Sequence, residues 1–111
     1  MGEYIISLVI YGLISLIMIG IGVSHIKSKE PVGFYTHEQA PRKQEITDIL
    51  AWNKKHGVMW ISYGVVLIGV HIVCLFVGDA ILALALLIGA TFLPLPMMMW
   101  YHGQLKKKYY R

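Results

Sequence analysis

Five histidines, at positions 25, 37, 56, 71 and 102, are the residues of this chain best suited to acid–base or metal chemistry. Their spacing fits no H-E-x-x-H pattern, in which two imidazoles one helical turn apart share a metal ion. Glu38 adjoins His37, and His25, His56 and His102 lie at segment ends that folding could gather near it. Such a grouping would suit an enzyme acting on a lipid or lipid-linked substrate at the membrane surface. His71 differs from the others because it sits well inside an apolar run. An ionisable residue there is by default a functional candidate for proton or ion passage. The competing account is a neutral imidazole hydrogen-bonded across helices to a carbonyl, a serine or a tyrosine. No second His, Glu or Asp stands at matching depth, which argues against a relay or metal site within one subunit. The chain has no G-x-S-x-G, no phosphate-cradling glycine loop and no carboxylate pair within a span. No catalytic residue, metal set or cofactor is expected.

The elements that must position these residues are dictated by hydropathy. Of 111 residues, 57% are hydrophobic and 14% charged. A soluble domain carries roughly 45–50% apolar and about 25% charged residues, and a chain this short could not hide so much apolar surface in its own core. Three apolar blocks, at about 4–23, 58–77 and 80–100, each have the roughly 20 residues that a helix needs to cross about 30 Å of hydrocarbon. None alternates with period two, so a barrel is excluded. The expected fold is an all-α integral membrane protein in a single domain, 1–111. It has three transmembrane helices, a loop and interfacial amphipathic helix over 24–57, and a basic tail over 102–111. The first block lacks the basic start and small-residue cleavage site of a signal peptide. The single cysteine, Cys74, lies deep in an apolar run and reads as a packing residue.

Charge sets the direction. Lys27, Lys29, Arg42, Lys43, Lys54 and Lys55 fall between the first and second blocks, and Lys106, Lys107, Lys108 and Arg111 follow the third. With three spans, every cation lies on one side. The positive-inside rule makes that side cytoplasmic, with the N-terminus outside the cell membrane. The basic residues flank spans, so the net charge of +4 implies membrane orientation rather than nucleic-acid binding. The outer connection shrinks to Gly78-Asp79, and Asp79 is expected to cap the third span through the amides of Ile81 or Leu82.

Small residues mark the packing faces. Gly57, Gly64, His71 and Gly78 recur at seven-residue intervals and share a face, while Ser62 and Gly69 form a second line. One face is expected to pack on another span, the other to serve self-association as a homodimer. Pro94 and Pro96 bend or end the third helix near Leu93. Met97, Met98 and Met99 would fill gaps around that bend or line a pliable binding surface. Trp100 and Tyr101 fit an interfacial aromatic belt.

The polar connection divides in two. Residues 31–41 read as a loop. Residues 42–56 read as a helix with Ile46, Ile49 and Leu50 on its apolar face, lying along the interface and turning at Gly57 into the second span. Trp52 would anchor it at headgroup depth. Asn53, on the apolar face, needs partners and is expected to clamp the loop backbone around Gly33 to Thr36.

"GFYT" (residues 33–36), a polar spacer and "AWNKKHG" (residues 51–57) leading into a glycine-containing span resemble the SdpI/YhfL-type bacterial membrane proteins. The resemblance covers about residues 5–77. The chain departs from the family pattern at Tyr35, where Arg is usual, at His37, where Pro is usual, and in a longer spacer with Trp52 and Asn53 adjacent. The resemblance implies three spans with the motif in the first connection, and a role in immunity to a secreted toxin with signalling toward the cytoplasm. It makes Gly33, Tyr35, Thr36, Trp52, Asn53 and His56 candidate binding residues, beside His71 from the span analysis. The expected partners are the lipid bilayer, a second copy, and a membrane protein or peptide. The expected function is a non-enzymatic interaction, immunity or signalling protein. The alternatives are a homo-oligomeric transporter or channel with His71 in its pathway, and a membrane enzyme.

Overall fold

The computed structural model describes residues 2–33 and 40–110. Within them the chain is helical, and three segments are long and apolar enough to cross a membrane. Hydrocarbon supplies no hydrogen-bond partner to a backbone amide, so an apolar block there closes its own bonds as a helix. The first helix, α1, is Gly2–Lys27. The second, α2, is Ile49–Cys74. The third crossing is broken into α3, Ala80–Phe92, and α4, Pro94–Tyr109. The molecule is a rod of 53 × 22 × 22 Å. Its length exceeds the roughly 40–45 Å of a bilayer with its headgroups.

The connection between α1 and α2 departs from expectation. Before Ile49 its described residues hold one 3-10 turn, Lys43–Glu45, and no separate amphipathic α-helix. Ile46 is extended and bridges Tyr110, while the Thr47 amide donates to the Tyr109 carbonyl at 2.8 Å. The Asp48 carboxylate accepts from the Ala51 amide at 3.1 Å and starts the helix there. Residues 49–56 are therefore the first two turns of α2, which runs straight through Gly57.

The second turn is also longer than Gly78-Asp79. It spans residues 75–79, beginning with tight bonds from Leu75 to Ile72 and from Phe76 to Val73. Asp79 caps α3 as expected, accepting from Ile81 at 2.9 Å and Leu82 at 3.4 Å.

Pro94 and Pro96 cannot donate to the carbonyls of Ala90 and Phe92, which breaks the third crossing. Leu93 keeps helical dihedrals (φ −63°, ψ −38°) and its amide bonds to Gly89, so the interruption bends the helix without reversing it. α4 then carries the chain through the basic tail as far as Tyr109.

Glycine determines how α1 and α2 meet. A Cβ on Gly57 would lie 2.5 Å from the Gly22 carbonyl oxygen, and one on Gly22 would collide with the Gly57 carbonyl. A Cβ on Gly64 would lie 2.7 Å from the Ser15 carbonyl. His71 continues the line, stacked on Tyr11 with ring centroids 5.0 Å apart. The Gly57/Gly64/His71 face is therefore filled by α1 of the same chain. The outer faces of α1 and α3 keep large apolar side chains exposed, among them Ile6, Leu16, Ile81 and Leu84.

Gly57→Val should force α1 and α2 apart and cost about 1–3 kcal/mol, the usual range for overpacking. Thermal unfolding in detergent would show a lowered midpoint. Gly69→Ala, at a site with nothing within 4 Å, is expected to leave the midpoint unchanged or raise it.

Candidate functional site

Two features draw on the residues singled out from sequence: a buried polar node at the basic end of the rod, and an apolar groove above it.

The node starts from adjacent residues on α2. Asn53 donates from Nδ2 to the carbonyls of Ser28 (3.1 Å) and Glu30 (2.8 Å), and its Oδ1 accepts from the Val32 amide at 3.0 Å. Trp52 donates from Nε1 to the Val32 carbonyl at 2.8 Å. The helix thus reads both backbone groups of Val32 and holds the segment leaving α1 against its own first turns. Lys43 adds an exposed ion pair to Glu30 at 2.9 Å. Such a pair is worth little by itself. The buried amide is worth more, because breaking it leaves several polar groups without partners.

One turn further along α2, His56 ties in α4. Its Nδ1 lies 2.8 Å from the Trp52 carbonyl, and its Nε2 lies 2.8 Å from Nδ1 of His102. A carbonyl only accepts, so His56 Nδ1 carries the proton. In the neutral ring Nε2 then accepts, and His102 Nδ1 donates to it. Trp52, His56 and His102 pack as an aromatic cluster with Tyr109 and Tyr110, the rings tilted or edge-on to one another. Ile46 and Leu105 complete the core around them.

The groove lies between α2 and the bent third crossing. It encloses about 710 Å³ and is lined from α2 by Lys55, Met59, Ser62, Tyr63 and Val66, and from α4 by Pro94, Met97, Met98, Trp100 and Tyr101. Two hydrogen bonds link the walls. The Tyr63 hydroxyl donates to the Thr91 carbonyl at 2.7 Å, close to the proline break, and the His56–His102 pair ties the walls at the basic end. Met98 is buried against Met59, Tyr63 and Leu67, while Met97 is 69% exposed. Lys55 stands at the basic end of the groove with Nζ 6.0 Å from the centre of the Tyr109 ring.

The structure therefore brings together Gly33, which packs on Ala40 next to the clamped Val32, with Trp52, Asn53 and His56. Tyr35 and Thr36 lie outside the described residues, as do His37 and Glu38. The clamp expected of Asn53 exists, and among the described residues it grips Ser28, Glu30 and Val32. Trp52 is not an anchor at headgroup depth. It is 0% exposed because its indole N–H is spent on Val32 and its ring on the aromatic core. His71 is remote from all of these, fifteen residues beyond His56 and so about 22 Å along the helix. It is 2% exposed, and neither of its ring nitrogens has a hydrogen-bond partner among the described residues. The interhelical hydrogen bond expected of it is replaced by the stack on Tyr11. Cys74 is buried, its thiol 3.5 Å from the Ala83 carbonyl, as suits a packing residue.

Sequence reasoning missed the partnership of His56 with His102 and the roles of Tyr109 and Tyr110. No spacing rule links residues on separate crossings. The groove had a signal in the two prolines followed by three methionines. Among the described residues, no group of three or more His, Cys, Asp or Glu side chains converges in a way that could hold a metal ion.

Asn53→Ala should release the segment that follows α1, leaving the Val32 amide and the Ser28 and Glu30 carbonyls to find water. Each unsatisfied buried group costs about 1–3 kcal/mol. Limited proteolysis with a lysine-specific protease is expected to cut after Lys29 much faster than in the parent, with helix content by circular dichroism unchanged. No protein-family model, curated protein or solved structure matches the chain.

Proposed function

We propose that the chain is a non-enzymatic interaction protein of the cell membrane, of the immunity or signalling type that its resemblance to the SdpI/YhfL proteins implies. Its spans receive a membrane-embedded ligand in the groove between α2 and α4, and its basic end carries the response. In this reading the N-terminus is outside and the loop, node and C-terminus are cytoplasmic, because every cation of the sequence lies between the first and second apolar blocks or after the third.

The observation that carries the reading is the groove itself. It is open at the surface of the rod, it is walled by apolar and aromatic side chains, and it abuts the node through Lys55 and Tyr101. An occupant that pushed α4 away from α2 would strain the His56–His102 hydrogen bond, and that bond is part of the cluster that holds the loop. Binding in the membrane and the shape of the loop surface are thus mechanically connected. The histidines of the node are turned inward onto backbone and each other, which suits a structural hinge better than acid–base work on a substrate.

A second reading, transport by a homo-oligomer, draws on His71, whose ring nitrogens are buried without partners. The ring is enclosed between α1 and α2, so a pathway past it would require those helices to part. The Ser62/Gly69 line remains as the face for a second copy, since α1 covers the other one.

Deleting the gene should sensitise cells to a secreted antimicrobial peptide, and the parent sequence should restore resistance. Ser62→Trp, which fills the groove from an exposed position, should fail to restore it while reaching the membrane at normal levels. Gly69→Ala should restore it. Full rescue by Ser62→Trp would contradict the groove as the site of action.

A further inference from the structure

The geometry points to one occupant of this groove: an anionic phospholipid of the leaflet at the basic end, its phosphate on Lys55 and an acyl chain running along Met59, Ser62, Tyr63 and Met98. This assignment rests on the reading of the groove as the binding surface, and it names the chemistry that the surface recognises.

The first support is the polarity gradient. Among the described residues, Lys55 provides the one positive charge of the groove, it stands at one end, and no carboxylate lines the walls. Arg42 and Lys43, by contrast, are paired to Glu45 and Glu30. Lys55 makes no ion pair with a described residue. Its contact is with the face of Tyr109 at 6.0 Å, which leaves its ammonium donors available to an anion. A charged head and an apolar tail match this arrangement end for end.

The second support is length. From Lys55 to Val66 the groove follows α2 for eleven residues, about 16 Å at 1.5 Å per residue. That is half of the roughly 30 Å hydrocarbon core, the depth of one leaflet. A partner's membrane-spanning helix would need a surface twice as long. Towards the other end of the rod α3 lies against α2, with the Cys74 thiol 3.5 Å from the Ala83 carbonyl, so the groove does not continue there. The volume of about 710 Å³ falls inside the roughly 300–1,000 Å³ typical of small-molecule sites.

The third support is position. Lys54, Lys107 and Lys108 are exposed at the same end and raise the local concentration of anionic headgroups without entering the groove. Lys55 would then convert a general attraction into a single seated lipid.

Native mass spectrometry of the full chain, released from mild detergent with equimolar phosphatidylglycerol and phosphatidylcholine, tests the assignment. The parent should retain one phosphatidylglycerol in preference to phosphatidylcholine. Lys55→Gln should lower that preference roughly fivefold, the equivalent of about 1 kcal/mol for one surface cation. Lys107→Gln removes the same charge outside the groove and should leave the preference intact. Ser62→Trp should eliminate the retained lipid of either kind, with circular dichroism confirming a folded chain. Equal retention of the two lipids by the parent, or equal effects of Lys55→Gln and Lys107→Gln, would overturn the anionic-lipid assignment alone. An adduct that survives Ser62→Trp unchanged would remove the groove as a binding surface, and the wider reading with it.

Discussion

Inside a bilayer, apolar helices gain nothing from hiding apolar surface from one another, because lipid tails are as apolar as leucine. Close backbone approach and a few hydrogen bonds must therefore hold the spans together. In this chain the approach is the reciprocal fit of Gly22 and Gly57, extended by Gly64 against the Ser15 carbonyl. With α1 seated so tightly on one face of α2, the third crossing is left to the remaining face, where it is held at separated points. The Cys74–Ala83, Tyr63–Thr91 and His56–His102 contacts mark those points. The groove is what remains between a straight helix and a bent one joined in this way.

The proline break supplies the bend and also a use for Tyr63. A helix bend exposes carbonyls in a medium that cannot solvate them. The Thr91 carbonyl, one turn before the break, accepts the Tyr63 hydroxyl, while the Thr91 hydroxyl bonds back to Leu87. A polar residue on α2 thus answers an irregularity on α3, and the same tyrosine then presents its ring to the groove. At the basic end the logic is repeated with different groups. Asn53 and Trp52 satisfy backbone of the chain leaving α1, and His56 satisfies the carbonyl of Trp52 while reaching His102. Three crossings and the first connection meet in one hydrogen-bonded cluster.

What could be read from sequence followed the range of the interaction. The spans, the Asp79 cap and the proline interruption depend on residues within a few positions of each other, and each was legible. The Asn53 clamp was legible because a buried amide on an apolar face demands partners, and its described partners lie at Ser28, Glu30 and Val32. The interfacial helix was misread for a specific reason. An apolar face at Ile46, Ile49 and Leu50 has the same period whether the helix stops at Gly57 or continues through it. Gly57 reads as a place to turn, yet it serves as the place where α1 comes closest. Trp52 was misplaced because its fate depended on a carbonyl supplied from twenty residues away. The His56–His102 pair, separated by 46 residues, left no local trace at all.

The central claim is that three crossings put the clamped connection and the C-terminal end of α4 on the same side of the bilayer. The most direct measurement is cysteine accessibility in intact cells, using single-cysteine versions in a Cys74→Ser background. Lys29→Cys and Lys107→Cys should resist a membrane-impermeant maleimide until the cells are opened, while Gly78→Cys should react at once. Reaction of Lys29→Cys and Lys107→Cys from opposite sides would contradict the three-crossing arrangement and separate the residues that the node requires to meet.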